Sequence, residues 1–179
     1  MLSDIKEVLY SEEELHEICE RLGRQISEDY KDKNLLLVSV LKGSVVFMAD
    51  LMRSITVPCR VDFMSVSSYD GTKTTGNVKI KLDLDINLEG YDLLLVEDIL
   101  DSGITLHSLR GMLSLRNPNS IKICTLLDKP ERRSANIKAD YIGTRVPDEF
   151  VVGYGLDYDE KYRNLPFIGV LKPEVYENN

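Results

Sequence analysis

Apolar positions along this chain fall into two alternating rhythms. Leu15, Ile18, Leu22 and Ile26 recur every three or four residues, which puts them on one stripe of a helix. Ser11 followed by Glu14 forms a capping box, so the spacing predicts a helix from Ser11 to about Tyr30. Asn34 then opens a nearly continuous apolar run, Leu35 to Leu41, of the kind that buries both faces of a strand. A short turn, Lys42-Gly43-Ser44, leads into a second helix carrying Val46, Phe47, Leu51 and Met52.

Residues 60–68 read as a strand with partial alternation, and residues 78–84 alternate strictly, as a strand with one wet face. Between them, 69–77 holds two glycines and four hydroxyls. Hairpin tips usually run about two to five residues, so the length of this one asks for a reason: a mobile lid over about 68–78, or a plain surface loop. Leu93 to Val96 is another buried strand, followed by a helix with Ile104, Leu109, Met112 and Leu113 that breaks at Asn117-Pro118-Asn119. Ile121 to Leu127 is the next strand. A strand, helix and strand in this length imply a right-handed parallel crossover, which brings Lys129 to the sheet end that carries Glu97, Asp98 and Lys42. A weaker strand spans 139–144, and the tail from Leu165 to Val175 reads as one more strand and a loose end. The pattern is α/β: a mainly parallel central sheet flanked by helices, in a single domain over 1–179.

Composition narrows the function. The 179 residues are 43% apolar without a tryptophan, and no apolar run reaches the roughly 18 residues of a membrane helix. The N-terminus lacks a basic-then-apolar signal pattern, so a cytoplasmic home is expected. Cys19, Cys59 and Cys124 are odd in number and form no C-x-x-C pair, which suggests small hydrophobes in place of disulfides or zinc ligands. A net charge of −8 argues against a nucleic-acid partner. His16 and His107 read as surface histidines.

The densest chemistry lies in residues 97–105. Two adjacent carboxylates, Glu97 and Asp98, leave the buried strand. Asp101 follows three residues on, and Ser102-Gly103-Ile104-Thr105 makes a small hydroxyl-bearing turn into a helix. Free backbone N–H groups at such a helix start favour an anion. Helix capping alone would use only one of these groups. The pattern therefore implies a phosphate in the loop and a polyhydroxylated or metal-bound group beside the acids.

Residues Val96 to Thr105 resemble the phosphoribosyl-pyrophosphate signature of the type I phosphoribosyltransferases, and the flanking segments resemble the hypoxanthine-guanine branch, over about residues 35–171. The resemblance implies the type I fold, with a small hood and a flexible lid loop. It implies transfer of 5-phosphoribosyl from phosphoribosyl pyrophosphate to hypoxanthine or guanine, giving IMP or GMP and pyrophosphate in purine salvage. Asp101, Ser102, Gly103, Ile104 and Thr105 would hold the 5′-phosphate. Glu97 and Asp98 would take the ribose hydroxyls, directly or through Mg2+. Asp101 would also be the general base, a role that needs a closed, dehydrated site because an ordinary carboxylate is a weak base.

By the same resemblance, Lys42 and Gly43 touch pyrophosphate, Arg163 neutralises it as it departs, and Ser68 and Tyr69 close over the reacting groups. Lys129 would donate to the exocyclic oxygen of a 6-oxopurine, Phe150 would stack on the base, and Val151 would add backbone contacts. Asp157 would ligate magnesium beside the purine, with Glu97 and Asp98 as the other metal ligands. Without the resemblance, Lys42 would read as an exposed turn lysine and Phe150 and Val151 as core. Family members usually form homo-dimers or homo-tetramers. Two other readings compete: a non-catalytic regulator on the same fold, binding phosphoribosyl compounds and RNA, and a phosphoacceptor signalling domain. In the latter the Ser-Gly-x-Thr turn would have no use.

Overall fold

The structure is a computed structural model and describes residues 1–68 and 78–177. In chain order it contains β1 (Ile5–Tyr10), α1 (Glu12–Asp29), β2 (Leu35–Leu41), α2 (Val45–Ser54), β3 (Cys59–Ser68), β4 (Val78–Leu82), β5 (Asp92–Leu100), α3 (Ile104–Ser114), β6 (Ser120–Asp128), β7 (Tyr141–Arg145), β8 (Val151–Val152), β9 (Ile168–Leu171) and α4 (Pro173–Tyr176). The capping box forms as expected: Glu14 N donates to Ser11 Oγ at 3.3 Å and Ser11 N to Glu14 Oε2 at 2.8 Å.

Six strands make the main sheet in the order β4-β3-β2-β5-β6-β7. Every neighbouring pair is parallel except the edge hairpin β3-β4. The continuous apolar runs follow from burial on two faces. Leu35, Leu37, Leu94 and Val96 pack on one side with Leu15, Leu22 and Ile26 of α1 and Phe47 and Leu51 of α2. Leu36, Val38, Leu93 and Leu95 pack on the other with Leu106, Leu109 and Leu113 of α3. Cys19 and Cys124 sit inside the first layer, where burial pushes the Cys19 thiol up to about 11. Among the described residues, no helix is long and apolar enough to cross a membrane.

The chain leaves β2 through α2 toward β3 and leaves β5 through α3 toward β6, in opposite directions along the sheet. The gap between the carboxyl ends of β2 and β5 is therefore the topological switch point, where open α/β sheets place their ligands. Pairing of β2 with β5 stops at Ser39↔Val96, while β5 stays paired with β6 as far as Leu100↔Asp128. Glu97 to Leu100 thus remain strand with one edge released into the crevice. Strand β5 outlasts its apolar run for this reason: ladder pairing on one side carries the acids.

Two elements depart from the sequence pattern. Strand β1 was not legible, and it joins β9 and β8 in a small antiparallel sheet, β1-β9-β8, that roofs the crevice as the expected hood. Its register shifts twice against β9, and most of its residues are half or fully exposed, so strict alternation is lost. The tail ends in the short helix α4 in place of the expected loose end, with Pro173 at its start. The expected lid, apart from its two end residues, lies outside the described residues. Ser68 closes the backbone of β3, and Tyr69 falls in the part not described.

Candidate active site

The loop from Asp101 to α3 is built to present N–H groups. Gly103 takes φ +78°, a left-handed conformation that a side chain would strain, and a Cβ there would also overlap Ile137. No side chain caps α3, and Ile104 N reaches Ser102 Oγ only at 3.4 Å. The helix start is thus open to an anion. Arg133 holds the loop from behind. Its guanidinium donates to the carbonyls of Asp101 at 2.8 Å, Leu100 at 2.9 Å and Ile137 at 3.0 Å, and it pairs with the buried Asp128. Ser134 N and Ala135 N both donate to Ser102 O at 3.0 Å.

Glu97 and Asp98 stand at the released edge of β5. Both are half-buried. Burial pushes the Asp98 carboxyl up to about 6, against opposing help from the Ile99 N–H and Arg163 and with added repulsion from Asp157. Burial and the Asp98 charge hold Glu97 well above the usual carboxylate range. Asp98 Oδ1 accepts from Ile99 N at 2.7 Å, and its Oδ2 lies directly over Gly43, where any Cβ would overlap it. Two crowded, half-buried carboxylates with hard oxygen donors suit a divalent cation such as Mg2+, which relieves their repulsion. Among the described residues, no three acids cluster tightly enough to hold a metal alone, so such a cation needs substrate oxygens as well.

The cationic side of the crevice comes from two loops. Lys42 follows a cis Leu41–Lys42 peptide, and its Nζ meets Glu160 Oε2 at 3.0 Å. Arg163 Nη2 contacts Asp157 at 2.9 Å and Glu160 at 3.4 Å, while Nη1 donates to Gly155 O at 2.8 Å. Gly155, at φ +102°, packs so closely on Gly43 that a Cβ would strike the Gly43 carbonyl. The Lys42 and Arg163 loops are thereby locked together, with Asp157 tied to the Glu160 N–H at 2.9 Å.

Beside the loop from Asp101 to α3 lies a cavity of about 290 Å3, lined by Ile99, Asp101, Lys129, Phe150, Val151, Asp157 and Tyr176 among others. Lys129 is 5% exposed and donates from Nζ to Glu149 O at 2.8 Å, with Asp148 Oδ1 at 3.7 Å. Asp101 Oδ1 is buried and has no hydrogen-bond partner among the described residues, while Oδ2 sits 3.7 Å from Arg132 Nη1. A buried acceptor without a donor asks for a ligand N–H. Phe150 is 37% exposed, against 7% for Val151. A larger cavity, about 610 Å3, is lined by α1, α2 and residues 163–166, and Arg163 is the only site residue named above that borders it. Size alone does not locate the chemistry.

The structure thus brings Lys42, Gly43, Glu97, Asp98, Asp101 to Thr105, Lys129, Phe150, Val151, Asp157 and Arg163 to one end of the sheet. Sequence reasoning missed three supports. Arg133 read as one of two arginines in a polar stretch, Glu160 carried no pattern, and Tyr176 lies just past the tail read from Leu165 to Val175. Only the Arg-Arg doublet gave any signal.

With this geometry in place, the comparisons are specific. The family described as the phosphoribosyl transferase domain matches residues 8–159. The hypoxanthine-guanine phosphoribosyltransferase of Staphylococcus aureus is 55% identical over 179 residues, covering 99% of this chain and 100% of that protein. That of Staphylococcus epidermidis is 56% identical over 177 residues, covering 98% and 99%. A crystal structure of a hypoxanthine phosphoribosyltransferase from S. aureus superposes with a TM-score of 0.96 at 55% identity, over 98% of this chain and 96% of that one. A hypoxanthine-guanine phosphoribosyltransferase from Bacillus anthracis gives 0.91 at 50% identity, over 94% and 99%.

Proposed function

The chain belongs to the phosphoribosyltransferase family, and from that premise we propose how its site performs the reaction. The reaction is transfer of 5-phosphoribosyl from phosphoribosyl pyrophosphate to hypoxanthine or guanine, yielding IMP or GMP and pyrophosphate, a purine-salvage step. The observation that carries it is the convergence, at one switch point, of an uncapped helix start, two adjacent half-buried acids and a base-sized cavity with a buried lysine. The comparisons give no support to a non-catalytic regulator.

In this reading the backbone N–H groups and hydroxyls from Asp101 to Thr105 bind the 5′-phosphate. Glu97 and Asp98 accept from the ribose 2′- and 3′-hydroxyls. When bound, Mg2+ supplies hard positive charge at the pyrophosphate oxygens, and Glu97, Asp98 and Asp157 would hold it. Lys42, Gly43 and Arg163 bind the pyrophosphate and stabilise its charge as the bond to ribose carbon 1 lengthens. The purine stacks on Phe150, takes backbone contacts at Val151, and directs its exocyclic oxygen to Lys129. Asp101 Oδ1, the buried acceptor without a donor, takes the imidazole-ring proton of the purine as its other nitrogen attacks carbon 1. Ser68 and Tyr69 belong to a lid over about 68–78 that keeps water from the oxocarbenium-like centre.

Residues 1–179 act as one domain in this reading. The charged donor does not cross a membrane unaided, which supports a cytoplasmic place of work. Solvent-facing apolar side chains on α2 and β3, Val45, Met52, Val61 and Phe63, support a homo-dimer or homo-tetramer. The test is pyrophosphate release with Mg2+, phosphoribosyl pyrophosphate and each of hypoxanthine, guanine, xanthine and adenine. Turnover with the first two is expected, falling about 10²–10⁴-fold in Asp101→Ala, as loss of a general base does. Turnover in the variant within tenfold of the parent would remove Asp101 from the base role, and no turnover with any base would overturn the enzyme reading.

A further inference from the structure

We propose that Tyr176 is a positioning residue for the purine, its ring backing Phe150 and fixing that ring as one wall of the base cavity. The proposal rests on the stacking role given to Phe150 above. The Phe150 and Tyr176 rings stack with centroids 4.9 Å apart at 23° between planes. Tyr158 meets Phe150 edge-on, at 5.6 Å and 90°, and meets Tyr176 at 6.5 Å and 67°. Each ring therefore contacts the other two, in the offset and edge geometries that ring quadrupoles favour.

Phe150 needs such support. It precedes the two-residue strand β8 and remains 37% exposed with one face on Tyr176 and Tyr158 at its edge. The ring lines the cavity shared with Lys129, Asp101 and Asp157, and Tyr176 lines it too. Tyr176 itself is firmly held. It packs with Val175 against Val152, Tyr162, Leu165 and Leu171, and its helix is tied to the N-terminus where Lys172 N donates to Asp4 O at 2.9 Å and Lys172 Nζ to Ser3 O at 2.7 Å. Leu171 N donates to Phe150 O at 2.8 Å, so backbone and ring of Phe150 are both referred to the tail. A ring already held in its bound orientation loses little rotamer freedom when the base arrives. Tyr176 thus acts on ground-state and transition-state binding of the base equally, which alters KM for the base and leaves kcat unchanged.

Steady-state kinetics on Tyr176→Ala and Tyr176→Phe, with melting temperatures for both, test this. In Tyr176→Ala, KM for hypoxanthine and guanine rises about three- to tenfold, the equivalent of one aromatic pair. KM for phosphoribosyl pyrophosphate and kcat stay within about twofold, and Tyr176→Phe, which keeps the ring, restores the parent KM. An unchanged KM for the base overturns the proposal. So does a lowered one, which would mean that Tyr176 competes for the stacking face. A parallel rise in both KM values with a fallen melting temperature also overturns it, marking a merely structural residue. Because the unsubstituted protein is measured alongside, its failure to turn over would count against the proposed function, and the variants' behaviour against Tyr176 alone.

Discussion

Replacing Asp98 by Asn should make the ligand-free protein more stable at neutral pH while abolishing its function. The substitution keeps an oxygen for the Ile99 N–H, which Asp98 Oδ1 accepts at 2.7 Å, and removes only the charge. That charge is unfavourable in the empty site, since burial lifts the carboxyl from 3.8 to about 6. A group raised on folding contributes its stability fully below the unfolded value and loses it as pH rises through the folded one. Ionised Asp98 therefore burdens the folded state above about pH 6. Roughly two units at about 1.4 kcal/mol each would set an upper bound of about 3 kcal/mol. The side chain still meets solvent, so about 1–2 kcal/mol is expected, or a rise of some 2–8 °C in melting temperature for a domain of this size.

The assay is urea unfolding of parent and variant by circular dichroism without divalent cation, at pH 4, 5, 6 and 7.5. The Asp98 share of the stability gap should be small at pH 4, open between pH 4 and 6, and plateau above. Glu97, relieved of its charged neighbour, adds to the gap in the same direction. A variant less stable than the parent at pH 7.5, or a gap independent of pH, would refute the argument. The functional counterpart is lost affinity for phosphoribosyl pyrophosphate with Mg2+, because the same buried charge that weakens the empty fold is the one a substrate-bound cation would neutralise.

Arg133→Met should cost about 3–5 kcal/mol, since it removes the guanidinium from the buried Asp128 and from the Asp101 and Ile137 carbonyls; a melting temperature lowered by less than about 3 °C would show that the clamp does not hold the loop. Lys129→Gln should lower kcat/KM for hypoxanthine at least about tenfold and narrow its advantage over adenine, because an amide no longer repels an amino group as a cation does; undiminished discrimination by the four-base assay would remove Lys129 from specificity.

Much of the architecture was readable because burial on two faces leaves a distinctive trace. Leu35 to Leu41 and Leu93 to Val96 read as buried strands, and the structure packs α1 and α2 on one face of them and α3 on the other. The loop at residues 97–105 stood out as a cluster too, since its acids, glycine and hydroxyls lie close together in the chain. Strand β1 escaped because half of it faces solvent and its register slips, and α4 because a four-residue helix carries no periodicity.

The sequence by itself determined most of the helices and strands and the run of acids, glycine and hydroxyls at residues 97–105, because each depends on neighbours within a few residues. Only the tertiary structure decided what those pieces face. It set Asp98 over Gly43, placed Glu160 between Lys42 and Arg163, aimed Arg133 at the back of the phosphate loop and stacked Tyr176 on Phe150. Those contacts join residues from 3 to 118 positions apart, and no local pattern encodes them. They follow from strand pairing that ends early on one side of β5 and from a hood whose strands come from both ends of the chain.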